Sequence, residues 1–383
     1  MNQGKRKFMK ILGGGAILAA TSATYLITRK PNTALQPWVL PGADEIDVIR
    51  KGLSYAILAP NPHNRQPWIV DLKESGQFTL FVDQNRLLPH TDPFSRQITI
   101  GLGCFITLFE MAMKQQGYAT TYSFFPEGDA IYGKRDLPVV TAKITKSEGI
   151  SPDPLFQYVL HRRSNKDPYD TTRAVSENLL QKVIDETGYF SETGGSVLPA
   201  DIARFRELTH SALQIEIDTP RTYKESVDLF RIGHKEIDKN PDGIDFSGPL
   251  FETLRLAGQF SREHALDRSS VAYQSGLEAV FQNTDSAMGH IWIVTPDNTR
   301  LSQLRAGGDW LRMNLLTTQA GLSTQPLSQA LQEYPEMEQE YRKIHSMIAP
   351  HGGTVQMFAR IGYGIKPDPS PRWPLKNKIK KNS

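Results

Sequence analysis

Three stretches of the sequence carry side chains that could bind an anionic ligand. They are a proline-rich loop at residues 59–68, APNPHNRQPW, the stretch HRRSN at residues 161–165, and PSPRWP at residues 369–374. Amide, hydroxyl and guanidinium groups are the donors that bind phosphate and the other polar groups of small ligands. Two neighbouring arginines followed by a serine therefore indicate a phosphate site, with a solvated basic surface as the alternative.

The loop at residues 59–68 connects two regular elements and cannot itself be helical. Its prolines, Pro60, Pro62 and Pro67, fix their own φ and push the preceding residues toward extended backbone. A helical pattern precedes the loop and an apolar strand follows it, a position where ligand-binding loops are common. The alternative is a plain helix-to-strand connection in which Asn and Gln side chains bond to turn backbone.

Other kinds of reaction centre have no signature in the sequence. Neither common nucleotide fingerprint occurs, GxGxxG before a helix or GxxxxGK[ST]. The nine histidines lack the spacing of a zinc-binding helix, and there is no GxSxG nucleophile motif. The single cysteine, Cys104, falls in an apolar helix, where a core thiol is expected, and it has no cysteine to pair with in the chain. Neither a metal site nor a hydrolase is predicted.

The charge balance gives no reason to expect a nucleic-acid partner. The 383-residue chain has a formal net charge of +3. Residues 1–30 hold six basic side chains and no acidic one, so the remainder carries about −3. A body without excess positive charge offers no general field for a phosphate backbone.

The first thirty residues have the pattern of a targeting segment. A basic stretch, Gly4–Lys10, precedes 17 uncharged residues, Ile11–Ile27. The basic stretch is similar to a twin-arginine export signal with Lys5 in place of the first arginine. We expect a bacterial protein that is exported, either periplasmic or attached to the outer face of the cytoplasmic membrane. A cleaved signal peptide, an uncleaved membrane anchor and a buried N-terminal helix are the three interpretations of this segment.

An α+β pattern surrounds the proline loop. The predicted first unit contains, in order, a helix at 44–58, strands at 68–72 and 78–82, a helix at 96–117, and strands at 118–126 and 138–144. The long helix is apolar nearly all round, which predicts a central, buried helix. Gly101 and Gly103 near its start indicate close approach of another backbone.

The rest of the chain is richer in helix. We expect helices at 154–160, 175–186, 201–217, 222–232, 250–265, 271–282, 301–320 and 335–347, strands at 289–294 and 354–363, and loops at 240–249 and 323–328. The helix at 301–320 resembles the earlier long helix, since Gly307–Asn314 corresponds to Gly101–Leu108 and strands flank both helices. This order predicts an internal repeat, with a chance similarity between two α+β units as the alternative.

Taken together, the motifs resemble the FMN-binding nitroreductase superfamily, and most closely its Acg-like branch. The loop at 59–68 is similar to that family's A-P-S-x-x-N-x-Q-P-W loop, and residues 161–169 are similar to its R-R-S-x-R-x-[FY] start. Residues 310–327 look like the helix and loop that run over the flavin. Residues 360–364 and 371–374 look like the last strand and the phosphate-binding tail.

The resemblance implies two tandem nitroreductase-like halves that form a pseudo-dimer, with a helical, lid-like insert at residues 219–286 of the second half. In ordinary nitroreductases FMN lies between two subunits, so a tandem duplication would leave one site shared by the halves. The domain organisation expected on this basis comprises an export signal or anchor at 1–30, a linker at 31–43, the first half at 44–145, a linker at 146–154, the second half at 155–375 and a basic tail at 376–383.

The resemblance also assigns residues to the cofactor. It gives the phosphate and ribityl contacts to Arg162, Arg163 and Ser164, a further phosphate contact to Arg372, and the polar edge of the isoalloxazine to Lys166. From the first half it takes Pro60, Asn61, Pro62, Asn64 and Gln66, and onto the ring it places Pro326, Leu327 and Ser328. No catalytic side chain is implied, because the chemistry takes place at flavin N5.

We therefore expect an FMN-dependent oxidoreductase that transfers hydride to an electron-poor small molecule, such as a nitro compound or a quinone. The electron donor would be NAD(P)H or another reductant, and the pseudo-dimeric chain would be a monomer. One alternative is a non-catalytic protein that binds or sequesters FMN beneath the insert. Another is an extracytoplasmic binding or scaffold protein without a cofactor.

Overall fold

The computed structural model of the chain describes residues 29–72, 75–129 and 136–381. The targeting segment predicted at residues 1–30 lies outside the described residues except for its last two. Its export and anchoring roles stay predictions.

The first half is an antiparallel sheet with two helices. The helices are α1, Val48–Ala56, and α2, Arg96–Gln115, and the strands are β1, Trp68–Asp71, β2, Gln77–Val82, β3, Tyr118–Phe124, and β4, Val140–Lys146. The order across the sheet is β1-β2-β4-β3, and all neighbours are antiparallel. Burial alternates along β2, which places Phe78, Leu80 and Val82 in the core, as expected for a strand with one solvated face.

The long helix α2 lies at the centre of the hydrophobic core, as its apolar sequence predicts. It begins where the Asp92 carboxylate accepts hydrogen bonds from the backbone N–H groups of Gln97 and Ile98, at 3.1 and 2.9 Å. The helix is long and apolar enough to span a membrane, but 83% of its most apolar window is buried inside the fold. Its apolar surface is therefore used for packing.

The second half contains a matching sheet and many more helices. Its helices are α3, Glu177–Thr187, α4, Pro199–Asp218, α5, Pro220–Asp228, α6, His234–Lys239, α7, Pro249–Leu256, α8, Arg262–Leu266, α9, Val271–Asp285, α10, Arg300–Gln319, and α11, Glu338–Ile348. Its strands are β5, Glu192–Ser196, β6, Phe230–Ile232, β7, Ile244–Phe246, β8, Gly289–Thr295, β9, Ser323–Pro326, and β10, Thr354–Gly362. The main sheet has the order β5-β8-β10-β9, again antiparallel throughout.

The two main sheets have the same topology. When the strands of each half are numbered along the chain, the order across the sheet is first, second, fourth, third. In each half the long helix connects the second strand to the third. The contacts between α2 and α10 are reciprocal: a Cβ on Gly103 would lie 2.0 Å from Leu304 O, and a Cβ on Gly307 would lie 2.1 Å from Ile100 O. Such an exchange of equivalent contacts is the mark of an isologous interface. The predicted tandem halves and pseudo-dimer are confirmed.

The insert separates β5 from β8, whereas only five residues separate the equivalent β1 and β2 along the chain. It is mainly helical, as predicted, but the helix expected at 222–232 ends at Asp228 and is followed by β6. β6 pairs in parallel with β7, inside the stretch expected to be a loop. The rings of Phe230 and Phe246 lie 4.6 Å apart across this pair, so aromatic packing stabilises two strands too short to be predicted.

The edge strands β5 and β9 also differ from expectation. The sequence gives no strand signal for ETGGS, and it predicts a loop at 323–328. Both segments are poor in strand-forming residues and are ordered by pairing with the central strands β8 and β10. Gly194 of β5 has to lack a side chain, because a Cβ there would lie 2.4 Å from Trp292 Nε1. Earlier in the chain, the helix expected at 154–160 is a 3-10 helix, Pro154–Tyr158.

Candidate functional site

The proline loop at residues 59–68 has a backbone that few side chains favour. His63, Asn64 and Gln66 have φ values of +45°, +49° and +50°. Non-glycine residues in this left-handed region cost about 1–3 kcal/mol each and cluster at ligand sites. Three such residues within four positions indicate a loop whose shape is retained for a purpose other than stability.

The loop is held by its own amide groups and by the first turns of α2. Asn61 Oδ1 accepts a hydrogen bond from Gln66 N at 2.7 Å, and Asn61 Nδ2 donates to Ala59 O at 3.1 Å. A Cβ on Gly101 would lie 3.1 Å from Asn61 Cβ and 3.3 Å from Pro62 Cδ. The close backbone approach predicted at Gly101 is therefore the approach of this loop.

Gln66 is fully buried, and protein groups satisfy its side chain. Its Nε2 donates to Pro241 O at 2.7 Å, and its Oε1 accepts from Trp373 N at 2.9 Å. Its backbone oxygen accepts from Lys378 Nζ at 2.7 Å. The resemblance assigns Gln66 to the flavin, whereas the structure places it as the support that joins the loop to the insert and to the C-terminal tail.

Arg372 reaches the proline loop from the C-terminal tail. Its guanidinium donates to Asn64 Oδ1 at 2.5 Å and to the carbonyl oxygens of Leu58 and Ala59, each at 3.2 Å. Only 3% of its surface is exposed. The structure thus brings together Asn64 and Arg372, which lie about three hundred residues apart in the sequence.

Arg162 approaches the same point from the start of the second half. Its guanidinium donates to Leu58 O at 3.2 Å, so one carbonyl group accepts hydrogen bonds from both Arg162 and Arg372. It also donates to Asn314 Oδ1 on α10 at 3.1 Å. Arg162 is 4% exposed. Two cations from distant segments therefore converge just beyond the end of α1.

The arginine cluster, defined as Arg162, Arg163 and Arg372, has fewer partners than its burial demands. Among the described residues, no carboxylate forms a hydrogen bond with any of the three, and their acceptors are carbonyl and amide oxygens. In the same part of the chain, Arg163 Nε, Arg372 Nε and Asn314 Nδ2 are buried donors without an acceptor. A buried, unpaired donor is unfavourable, so the cluster suits an anion that carries several acceptor atoms.

The pKa values of the cluster report the same imbalance. The pKa of Arg162 is lowered to about 10 and that of Arg372 to about 9. Burial is the larger cause of both shifts, and repulsion by a neighbouring arginine is the second. Both groups remain cationic at neutral pH. A dianion bound between them would reverse the shift.

Ser164 and Lys166 continue the stretch from the cluster toward solvent. Ser164 is half-buried, and its hydroxyl makes no hydrogen bond within the described ranges. Asn165 N donates to Thr324 O at 2.9 Å, which fixes the stretch against β9. Burial and then repulsion from Lys166 lower the pKa of His63 to about 4, so Lys166 lies near the proline loop.

His63 of the proline loop and Asp245 of the insert both lie near Lys166. Asp245 is exposed and His63 is half-buried, so both keep contact with solvent. Burial nevertheless raises the pKa of Asp245 and lowers that of His63. The charge of Lys166 acts on both groups and that of Arg372 acts on Asp245, so Asp245 lies near the arginine cluster.

The insert closes over one side of the proline loop through Asp242. The Asp242 carboxylate accepts from Arg86 Nη1 at 2.5 Å, from Arg231 Nη2 at 2.7 Å and from Trp373 Nε1 at 3.1 Å. These partners belong to the first half, the insert and the tail. Together with the hydrogen bond from Gln66 to Pro241, the bonds of Asp242 hold the insert against the proline loop.

The ring-side residues predicted at 326–328 lie at and just beyond the end of β9. Pro326 and Ser328 are half-buried and can face a ligand, as can Pro60 and Pro62 of the loop. Leu327 differs, since it is 4% exposed and belongs to a second hydrophobic cluster with Phe358. Its side chain is a core residue, and its predicted packing on the flavin ring does not fit this placement.

Three residues that sequence reasoning missed take part in the site. Asn314 bonds to Arg162, Asp245 faces the cluster, and Trp38 lies in the predicted linker at 31–43 with its ring over Arg163 and Arg372. None has a local signature for such a role. A tryptophan within a proline-rich linker is the only signal that the sequence offers, because exposed linkers seldom keep large aromatic residues.

The described residues offer neither a cluster of metal ligands nor a reactive thiol. No three His, Cys, Asp or Glu residues in these ranges are grouped so as to hold a metal ion. Cys104 is buried where α2 meets α10, its Sγ donates to Gly307 O at 3.0 Å, and burial raises the pKa of the thiol to about 12. A thiol in this state is not a nucleophile.

Comparison with known proteins gives sequence relatives along most of the chain. A Mycobacterium tuberculosis protein named "Putative NAD(P)H nitroreductase acg" is 25% identical over 341 residues, a match that covers 86% of this chain and 94% of the relative. An uncharacterized protein of the same organism is 22% identical over 344 residues, covering 86% and 91%. No protein-family model matches. A solved structure from Anabaena variabilis, described as a "putative nitroreductase", has 10% identity and a TM-score of 0.46, covering 92% of this chain and 93% of that one.

The sequence similarity to the M. tuberculosis protein spans both halves, the proline loop and the arginine stretch. The resemblance inferred from the motifs is thereby confirmed: this chain is similar, along 86% of its length, to a protein named as an NAD(P)H nitroreductase of the Acg kind.

Proposed function

We propose that this chain is an FMN-binding oxidoreductase of the nitroreductase type. The observation that carries the proposal is the arginine cluster, in which Arg162 and Arg372 are buried and no carboxylate of the described residues forms a hydrogen bond with any of the three arginines. Burial of guanidinium ions without a hydrogen-bonded counter-charge is unfavourable. A phosphate dianion would offset that cost through bidentate, charge-assisted hydrogen bonds. The name of the M. tuberculosis relative supports the same class of protein.

In this proposal Arg162, Arg163, Ser164 and Arg372 bind the phosphate and ribityl groups of one FMN. The free hydroxyl of Ser164 and the unpaired Nε atoms are the available donors. Lys166 places a positive charge near the proline loop, where it would stabilise negative charge at the polar edge of the ring. When bound, FMN supplies hydride transfer to an electron-poor small molecule, such as a nitro compound or a quinone.

The proline loop contributes shape rather than proton transfer. Its backbone is strained at His63, Asn64 and Gln66, and in this proposal that shape holds Pro60, Asn61 and Pro62 against the flavin. His63 is neutral at pH 7, because its pKa is about 4. The neutral ring adds no further positive charge to a site that already holds three arginines.

A second candidate function is FMN storage without turnover, and the insert favours it. Asp242 bonds the insert to the first half through Arg86 and to the tail through Trp373, and Pro241 accepts a hydrogen bond from Gln66. A cover fastened in this way would restrict entry of a second substrate. The difference between enzyme and store therefore depends on how often these bonds open.

The first experiment tests binding. Purified protein should be yellow and should release about one FMN per chain on denaturation. Arg162→Ala should lose most of its flavin, whereas Arg342→Ala, whose side chain is 76% exposed on α11, should retain it. A colourless wild-type protein that ignores added FMN would refute the proposal.

The second experiment separates enzyme from store. Stopped-flow mixing with NADH or NADPH should bleach the flavin, and a nitro compound or a quinone should reoxidise it. Asp242→Ala should speed both FMN release and reoxidation, and Asp218→Ala, which removes an exposed pair with Arg268, should change neither. Failure of reduction and of reoxidation, in the wild type and in Asp242→Ala alike, would favour storage.

We also propose, from the sequence of residues 1–30 alone, that the protein works outside the cytoplasm. Nicotinamide donors are scarce there, so a quinol or a partner protein could replace NAD(P)H. Fusion of residues 1–45 to a reporter that is active only after export tests this. Reporter activity that depends on the basic stretch would support it, and an inactive reporter would contradict it.

A further inference from the structure

The segment at residues 31–38, here called the strap, is an ordered part of the site rather than a free linker. Its centre is the 3-10 helix Thr33–Trp38. Asp238 of α6 accepts hydrogen bonds from the backbone N–H groups of Asn32 at 3.2 Å and Ala34 at 2.9 Å. Ala34 O accepts from Arg372 N at 2.8 Å. The strap therefore lies between the insert and the tail segment that carries Arg372.

Trp38 ends the strap and covers the arginine cluster. The indole is 8% exposed, and its Nε1 donates to Ser370 O at 2.8 Å, which fixes the orientation of the ring. The guanidinium carbon of Arg163 lies 4.9 Å from the ring centroid and that of Arg372 lies 5.4 Å from it. Both distances fall within the range of a cation–π interaction.

The chemistry of this contact differs from that of a salt bridge. A carboxylate beside the arginines would neutralise them and would compete with a phosphate. An indole ring stabilises a guanidinium through its quadrupole and leaves the net charge unchanged. The ring also takes the place of the water that would otherwise surround the guanidinium groups. Their electrostatic attraction for a bound anion is therefore less screened.

We propose that Trp38 is a positioning residue, which holds Arg163 and Arg372 ready for the phosphate group and so makes the chain prefer FMN to riboflavin. This inference rests on the proposed function. It names a residue outside every motif that carries the family resemblance. It also gives a reason why an apolar ring covers two cations that have unpaired Nε atoms.

The test compares two flavins that differ only in the phosphate. Fluorescence titration gives a Kd for FMN and for riboflavin with the wild type, Trp38→Leu and Trp38→Phe. Leucine keeps an apolar side chain but has no ring face, whereas phenylalanine keeps a smaller aromatic face and loses the bond to Ser370. We expect Trp38→Leu to raise the FMN Kd about tenfold or more, since two desolvated cation–π contacts are lost. The riboflavin Kd should change less than about twofold, and Trp38→Phe should recover most of the FMN affinity.

Trp292→Leu is the matched control. This half-buried indole packs in the second hydrophobic cluster against Phe205, at 5.7 Å between centroids. Its loss should leave the ratio of the two Kd values unchanged even if stability falls. A ratio that is also unchanged in Trp38→Leu, whether because both affinities fall together or because neither falls, would overturn the inference. A wild type that binds neither flavin would refute the proposed function and the inference with it.

Discussion

Replacement of Arg372 by methionine should separate cofactor binding from protein stability. In the flavin-free protein this guanidinium makes four hydrogen bonds, to Asn64 Oδ1 and to the carbonyl oxygens of Leu58, Ala59 and Pro371. At about 1.5 kcal/mol for each bond to a charged group, their loss costs about 6 kcal/mol.

The cost of burying the charge opposes this loss. Burial lowers the pKa of Arg372 from 12.5 to about 9. Burial, and then repulsion by Arg162, therefore disfavour the charged form in the folded state. Methionine is flexible and uncharged, so it removes that cost and fills much of the space. The flavin-free variant should therefore unfold within about 2 kcal/mol of the wild type.

FMN binding has no such compensation. Loss of the Arg372 charge and of the hydrogen bond from its unpaired Nε to the phosphate should weaken binding by about 3 kcal/mol, or about a hundred-fold in Kd. Riboflavin lacks the phosphate, and its Kd should change less than about threefold. Flavin titration and urea unfolding of the flavin-free protein measure the two effects separately.

Arg360 provides the matched comparison. It is also fully buried, but its Nε, Nη1 and Nη2 atoms all have acceptors, among them Gln325 Oε1 and Asp167 O. Burial disfavours both charges, but only Arg372 has an unpaired nitrogen atom, so Arg360→Met should lose more stability than Arg372→Met. If Arg372→Met were destabilised as much as Arg360→Met and still bound FMN normally, Arg372 would be a structural arginine and the reasoning would be wrong.

Three further predictions concern pH, the crossing of the long helices and the thiol. FMN affinity should be constant between about pH 7, where the phosphate is a dianion, and about pH 9, and should fall above it, because the Arg372 guanidinium, whose pKa is about 9, loses its proton there. Riboflavin affinity should change less over the same range, and an equal fall for both flavins would point to a different group. Gly307→Ala should destabilise the protein by about 3 kcal/mol or more, since the new Cβ would lie 2.1 Å from Ile100 O. Gly276→Ala in α9, where the described chain has nothing within 4 Å, should gain about 0.5–1 kcal/mol, and thermal unfolding of the pair checks both. Native protein should not react with a thiol reagent such as DTNB until urea unfolds it, because Cys104 is buried and its pKa is about 12; rapid labelling would show that α2 and α10 separate readily.

The features that could be predicted from the sequence are those set by local periodicity or by a motif. α2 and α10 end within two residues of their predicted bounds, because each keeps an apolar pattern over about five turns. The close approach predicted at Gly101 and Gly103 is present, with Asn61 against the first and Leu304 against the second. Glycine in an apolar helix is a strong signal, because little else explains the missing side chain.

The features that could not be predicted depend on contacts between distant segments. The side chain of Gln66 could form hydrogen bonds equally well with a ligand or with protein groups. Only the distances to Pro241 and Trp373 show that its partners are protein groups. The strand β9 has little intrinsic preference for extended structure and forms because β10 lies beside it. Trp38 stands in a segment that reads as a linker, and its role arises from a tail more than three hundred residues away.

The reciprocal glycine contacts between α2 and α10 make the assembly of the site independent of protein concentration. A site shared by separate subunits comes apart when the protein concentration falls below the dissociation constant of the dimer. Here Gly103 and Gly307 belong to one chain, so the halves meet in a first-order process at a high effective concentration. At a fixed concentration of free ligand, the fraction of sites that are occupied should therefore be the same at nanomolar and at micromolar protein. Such independence suits a protein that is scarce in its compartment, because the lifetime of the bound cofactor is then set by local opening alone.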